Sequence, residues 1–320
     1  MAKILSIGAA LQDIYLIDHD DLEPTTIGEE SFFGKILVGG KVDIDRLSYE
    51  VGGGAVNSAI SFARHGHEAV IMANISHDAA GDAILRVLDK EGVDTSSIGY
   101  TDHKGTGSSV ILLDSKKGER TILTYRGAST KFDNFKAASL DLIKPDYLYI
   151  TTMRGDLGVL TDFLEKAHDL GIKVMFNPGV KELENPAEVL RLLKYVDILL
   201  INKKEASELV PGSILEELLY HLKNYANIVI ITNGAMGGAA TNGEEVYRFG
   251  IYEDVKMKDA TGAGDAFGSG FLAAMASGKS FRRSLVFASA NSTAVVTKIG
   301  ANKGILTGRE DLHPMPIQKI

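Results

Sequence analysis

The segment Asp259-Ala260-Thr261-Gly262-Ala263-Gly264-Asp265-Ala266-Phe267 has the residue types for chemistry on a phosphate, and Gly268–Met275 continues it as a small-residue helix. Small residues ahead of a helix let backbone N–H groups approach an anion closely, and the helix dipole adds positive potential there. A carboxylate at the edge of such a pocket repels a bound phosphate. It becomes useful when it accepts a proton from an attacking hydroxyl. The N–H groups of Gly262, Ala263 and Gly264 then offset charge developing on a transferred phosphoryl group. In isolation, Gly-Ala-Gly-Asp reads more simply as a turn with Asp265 as an N-cap, so the rest of the chain has to decide.

A second glycine-rich run, Val51-Gly52-Gly53-Gly54-Ala55-Val56-Asn57-Ser58-Ala59, precedes another helical stretch. Glycines there permit close substrate approach, and Asn57 on the first turn offers a donor and an acceptor to sugar hydroxyls. Asp13, five residues after Gly8, is either a carboxylate that receives two neighbouring hydroxyls or a solvated turn residue.

These residues must be positioned by a framework whose pattern is regular. Short runs rich in Ile, Val and Leu alternate with segments of helical period, which predicts βαβ units and a doubly wound, mainly parallel sheet flanked by helices. The expected strands are Lys3–Gly8, Ala69–Ala73, Asp146–Thr151, Lys173–Asn177, Asp197–Asn202 and Asn227–Thr232. The expected helices are Ala55–Gly66, Ala79–Glu91, Asp156–Gly171, Ala187–Lys194 and Ile214–Tyr225. Two stretches break the rhythm as β ribbons, Ser31–Val51 and Thr106–Arg126, the latter turning at Ser115–Glu119. We assign them to a small β lid, formed by about 14–51 and 106–126, inserted into one domain spanning 1–320.

Composition narrows the partners. A formal net charge of −8 over 320 residues argues against nucleic acid or an anionic membrane as the main partner. With no cysteine, thiolate metal sites and cysteine nucleophiles are excluded, and a reducing, cytoplasmic setting is the expectation. The start of the chain runs straight into a strand pattern, and no apolar run approaches the ~20 residues that span a bilayer, so an unprocessed soluble chain is expected. The eight histidines form no zinc-spaced cluster.

In order and spacing, these segments resemble the ribokinase (PfkB carbohydrate kinase) family over nearly the whole chain. The stretch Asp259–Leu272 is similar to that family's C-terminal motif. The resemblance implies that Asp265 is the catalytic base and that Gly262, Ala263 and Gly264 form the anion hole. It assigns Asp13, Gly53, Gly54 and Asn57 to the acceptor. Asn202-Lys203-Lys204-Glu205 resembles the family's Asn-x-x-Glu element, with Glu205 and Asn202 holding Mg²⁺ partly through water, as suits a hard cation that keeps much of its hydration shell. Asn202, Thr232, Gly234, Gly237 and Asn291 are implied for ATP, the last beside the adenine. Asp259, with carbonyls of Ile299–Gly304, is implied for K⁺. Ala260 departs from the family's Thr or Ser, Gly54 from the Lys of true ribokinases, and Ser76 from a Gly.

The expected activity is ATP-dependent transfer of the γ-phosphoryl group to a primary hydroxyl, with a neutral sugar as first choice, a nucleoside next and a sugar phosphate third. A sugar acid or phosphate would need Arg120 or Arg126 to point inward. Phe32, Phe33 and Tyr125 would serve stacking on a base. An NAD-dependent oxidoreductase reading fails on position, because a dinucleotide loop should follow the first strand directly. A silent sugar-binding regulator should lack the base. Unpaired lid edges and the family's habit of pairing lids predict a homodimer.

Overall fold

The computed structural model describes residues 1–17, 24–27, 30–33, 39, 41, 43, 44, 46–114 and 119–320. Its main sheet has nine strands, in the order Ile317–Lys319, Val246–Phe249, Gly238–Thr241, Ile228–Thr232, Ile198–Asn202, Lys173–Phe176, Tyr147–Ile150, Lys3–Ile7 and Glu68–Met72. The last six are parallel, and they are the six expected strands, each within a residue of its expected bounds. The first three are antiparallel additions that the sequence reading did not anticipate.

Continuous apolar runs suit strands buried on both faces, and both faces here are covered. On one side Gly54–Arg64, Ala263–Ala276 and Phe281–Val296 pack onto residues such as Ile4, Ile71 and Leu200. On the other, Leu157–Leu170, Pro186–Leu192, Lys203–Leu209 and Leu215–Leu222 pack onto Leu5, Ile150 and Ile231. The expected helices are present with ends displaced by up to three residues, and Ala187–Lys194 ends in a 3₁₀ turn, Leu193–Tyr195.

Lys3–Ile7 lies between Glu68–Met72 and Tyr147–Ile150, so the connections diverge on either side of it. Such a switch point opens a crevice at the carboxyl ends of the strands. The chain leaves this point through Gly8 into Leu11–Ile17, the third strand of a separate four-stranded sheet ordered Glu119–Tyr125, Gly107–Asp114, Leu11–Ile17, Arg46–Gly52. Asp13 therefore sits on a lid strand, opposite Glu50 and Ser109, and not in the strand-end loop expected for it. Pro24–Ile27 and Glu30–Phe33 form a further two-stranded ribbon. The turn at 115–118 and the side chains of Phe32 and Phe33 lie outside the described residues.

Pairing register separates the faces of the lid sheet. Asp13, Tyr15, Glu50, Ser109, Ile111 and Arg120 share the inner face; Leu47, Tyr49, Leu123 and Tyr125 share the outer one. The four outer residues are each more than half exposed. Tyr125 thus faces away from the crevice, so the stacking role expected for it is withdrawn.

Candidate active site

Asp265 lies in the first turn of the Ala263–Ala276 helix, whose N-cap is Gly262 with φ of +78°. A side chain at 262 would be strained in that left-handed conformation and would run into the backbone of Ala301. The first N–H groups of a helix have no acceptor one turn back; that of Ala263 reaches the Ala260 carbonyl at 3.4 Å, and those of Gly264 and Asp265 are left at the helix start. Above Gly264 a Cβ would meet nothing within 4 Å, which leaves space for a ligand. A cavity of about 410 Å³ opens there, lined by Gly54, Thr151, Asn202, Glu205, Thr232, Gly262, Ala263, Gly264 and Asp265 among others.

Asn57, expected at the acceptor, is tied to Asp265 and Asn302. Its Nδ2 donates to Asp265 Oδ2 at 2.8 Å, and its Oδ1 accepts from Asn302 Nδ2 at 3.2 Å. Asn302 also donates to the Val51 carbonyl at 2.7 Å, and Arg64, paired with Glu91, donates to the Asn302 carbonyl at 2.8 Å. The Asn57 amide is therefore fixed in one orientation, with one Nδ2 hydrogen committed to the Asp265 carboxylate and one left over. Asp265 keeps Oδ1 for a substrate. Burial pushes its carboxyl up, and the Asn57 hydrogen bond opposes that by favouring the charged form. Asn302 was not foreseen: an Asn in a loop 245 residues from its partner leaves no local pattern in the sequence.

Gly53 caps the neighbouring helix at φ of +95°, where its α-carbon is pressed against Ala9 and Ala10. At Gly54 a Cβ would lie 2.7–2.8 Å from the Thr151 side chain, which excludes the lysine found there in true ribokinases. Asp13 is 4 % exposed and leans over Gly52. Burial raises its carboxyl to about 7, opposed first by a Ser109 hydrogen bond, with Asp259 and Glu50 adding to the rise and Arg126 countering it. Arg126 in turn is lowered by burial and then by Arg154, across the same region.

The cavity continues past Ala260, Ala263 and Gly264 into a slot of about 260 Å³ that includes Thr232, Gly234, Gly237, Phe249, Met257 and Val296. Gly237 has its α-carbon against the Phe249 carbonyl. Asn291, expected beside the adenine, is fully buried outside this slot, donating to the Ala266 carbonyl at 2.7 Å and accepting from Leu306 N at 2.9 Å. Ser289, Ser292 and Thr293 from the same helix line the slot instead.

Asn202 and Glu205 form a reciprocal capping box on the Lys203–Leu209 helix, Glu205 Oε2 accepting from Asn202 N and Asn202 Oδ1 from Glu205 N, both at 3.0 Å. Glu205 Oε1 has no hydrogen-bond partner among the described residues, and burial pushes the carboxyl up. One oxygen donor facing a phosphate-sized cavity fits Mg²⁺ that arrives with its phosphates and waters. Asp259 does not fit K⁺. Its carboxylate accepts from Thr261 N at 2.9 Å, Thr261 Oγ1 at 2.6 Å, Tyr15 Oη at 2.9 Å and Gly300 N at 3.1 Å, which uses its four acceptor positions.

The arrangement is a slot of about 260 Å³ joined to a cavity of about 410 Å³ past a helix N-terminus with a carboxylate beside it. The family model "pfkB family carbohydrate kinase" matches residues 1–307. A ribokinase from Haemophilus influenzae is 29% identical over 274 residues, covering 82% of this chain and 86% of that one. An ATP-dependent 6-phosphofructokinase from Thermoanaerobacterium thermosaccharolyticum is 24% identical over 313 residues, covering 93% and 89%. The solved structure of Arabidopsis thaliana ribokinase complexed with ribose and ATP superposes with a TM-score of 0.77 at 23% identity, covering 96% of both chains. With the family motif elements in order and a family match across almost its full length, this chain is an ATP-dependent kinase and belongs to the pfkB family of carbohydrate kinases.

Proposed function

We propose that the protein transfers the γ-phosphoryl group of ATP to a primary hydroxyl of a small sugar, with Asp265 as general base. The observation that carries this is Asp265 itself, held at one oxygen by Asn57 beside the first-turn N–H groups of its own helix, of which those of Gly264 and Asp265 have no acceptor among the described residues. Asp265 Oδ1 takes the hydroxyl proton as the acceptor oxygen bonds to the γ-phosphorus. The bond from that phosphorus to the β,γ-bridging oxygen breaks, and the electron pair leaves with ADP. The N–H groups at the start of this helix, those of Gly264 and Asp265 in place of the expected Gly262 and Ala263, meet the charge on the transferred group. Mg²⁺ neutralises phosphate charge when bound, and Glu205, oriented by Asn202, is the residue that would hold it. Asp13 grips neighbouring hydroxyls of the acceptor, and the lid sheet covers them.

A second reading, a phosphorylated sugar as acceptor, is favoured by one observation. Arg126 and Arg154 lie close enough to depress Arg126, and neither guanidinium has a hydrogen-bond or ion-pair partner among the described residues. The 6-phosphofructokinase relative is named for such an acceptor. ADP release on a panel of sugars, sugar acids, nucleosides and sugar phosphates separates the two readings. Turnover with at least one panel member is expected. No turnover on any of them counts against the kinase assignment.

The outer lid face, with Leu47, Tyr49, Leu123 and Tyr125 exposed, supports a homodimer formed through the lid. No helix among the described residues is long and apolar enough to cross a membrane.

A further inference from the structure

Arg120 reaches from the inner face of the lid into the cavity that holds Gly262, Ala263, Gly264 and Asp265. Its side chain is 28% exposed, yet Nε is buried without a hydrogen-bond partner. The nearest carboxylate oxygen, Asp259 Oδ1, is 3.8 Å from Nε, beyond hydrogen-bond range. That carboxylate is already saturated by Thr261, Tyr15 and Gly300, so Arg120 is drawn there by charge, and among the described residues its guanidinium has no hydrogen-bond acceptor. A buried, unpaired guanidinium N–H costs free energy unless a ligand completes it.

The charge balance of the site sharpens this. Among the described residues lining the central cavity and the nucleotide slot, Arg120 is the one basic side chain; Asp265, Glu205, Glu253 and Asp254 are the acidic ones. ATP would bring several more negative charges to the same walls. A planar fork of donors is well matched to phosphoryl oxygens.

We propose that Arg120 is a catalytic residue: its guanidinium donates to the oxygens of the γ-phosphoryl group as that group moves from ADP to the acceptor. In doing so it supplies, from within the chain, the fixed positive charge that a monovalent cation beside Asp259 would otherwise give. This rests on the phosphoryl-transfer reading above. It replaces the expectation of potassium activation, for which Asp259 has no free acceptor, and it makes activity depend on the lid being seated.

The test is steady-state turnover with MgATP and the best acceptor from the panel, in KCl, NaCl and tetramethylammonium chloride at equal ionic strength. Wild-type rates are expected to agree in all three. Arg120→Ala is expected to lower kcat by about 10²–10³-fold with little change in acceptor KM. Added guanidinium should restore part of the loss where sodium or potassium does not, and Arg120→Lys should fall between. Nucleotide affinity by calorimetry and melting temperature should change little in either variant. Several-fold activation of the wild type by potassium alone would overturn the proposal, as would Arg120→Ala turnover within about threefold of wild type. An unrescued loss that tracks lost nucleotide affinity or melting temperature would make Arg120 structural and also overturn it. A wild type inactive on every acceptor would defeat the kinase reading together with this one.

Discussion

The site depends on a few side chains whose protonation and orientation are set by neighbours. Asn57 opposes the burial that raises Asp265, so its hydrogen bond favours the carboxylate form that the proposed base requires. The base works only as a carboxylate; kcat should therefore fall as pH drops through a pKa above the ordinary range of an aspartate. Asn57→Ala removes the opposing bond, so the acid limb of the kcat profile should move to higher pH, and turnover at pH 6 should fall more than at pH 8. An acid limb unchanged in position would show that Asn57 does not tune the base. Asp265 stood out in the sequence because a carboxylate beside small residues is a local pattern, whereas the place of Asp13 within a strand of the second sheet was not readable. The partners that fix them, Asn302, Arg64 and Ser109, were not readable either, because they come from distant parts of the chain.

At the scale of elements, Gly262 lets the helix bearing Asp265 pack closely on Ala301, next to Asn302. Gly262→Ala combines a left-handed backbone with a side chain driven into Ala301, so it should destabilise the fold by about 2 kcal/mol and also displace the anion hole. Chemical denaturation and kcat should fall together; a variant with full stability and full turnover would refute the close packing. The six parallel strands were readable from apolar runs because both of their faces are buried. The antiparallel strands Gly238–Thr241 and Val246–Phe249 were not: short, Gly- and Ala-containing segments look like loop until the main sheet offers them an edge. Asn291 was misjudged for a related reason, since helical phase decides which of several adjacent polar residues faces the slot, and Ser292 and Thr293 have that phase.

For the whole molecule, the four-stranded sheet bears on assembly. Its edge strands Arg46–Gly52 and Glu119–Tyr125 carry exposed Leu47, Tyr49, Leu123 and Tyr125 on one face, a patch that a solvated monomer rarely leaves uncovered. Light scattering should give a dimer, and Leu47→Glu with Tyr49→Glu should give a monomer with an intact body. A wild type that scatters as a monomer at micromolar concentration would refute lid pairing. Composition speaks to this scale only as an expectation: a net charge of −8 argues against polyanionic partners and names no acceptor.

The central claim is that the chain is a kinase whose base is Asp265, and Asp265→Asn tests it most directly. The amide keeps the size and the Asn57 contact side of the carboxylate, leaves the anion hole in place and removes the proton acceptor. Phosphoryl transfer to the best acceptor should fall by about 10³-fold or more while ATP binding by calorimetry stays close to wild type. Turnover near wild type in Asp265→Asn would contradict the account.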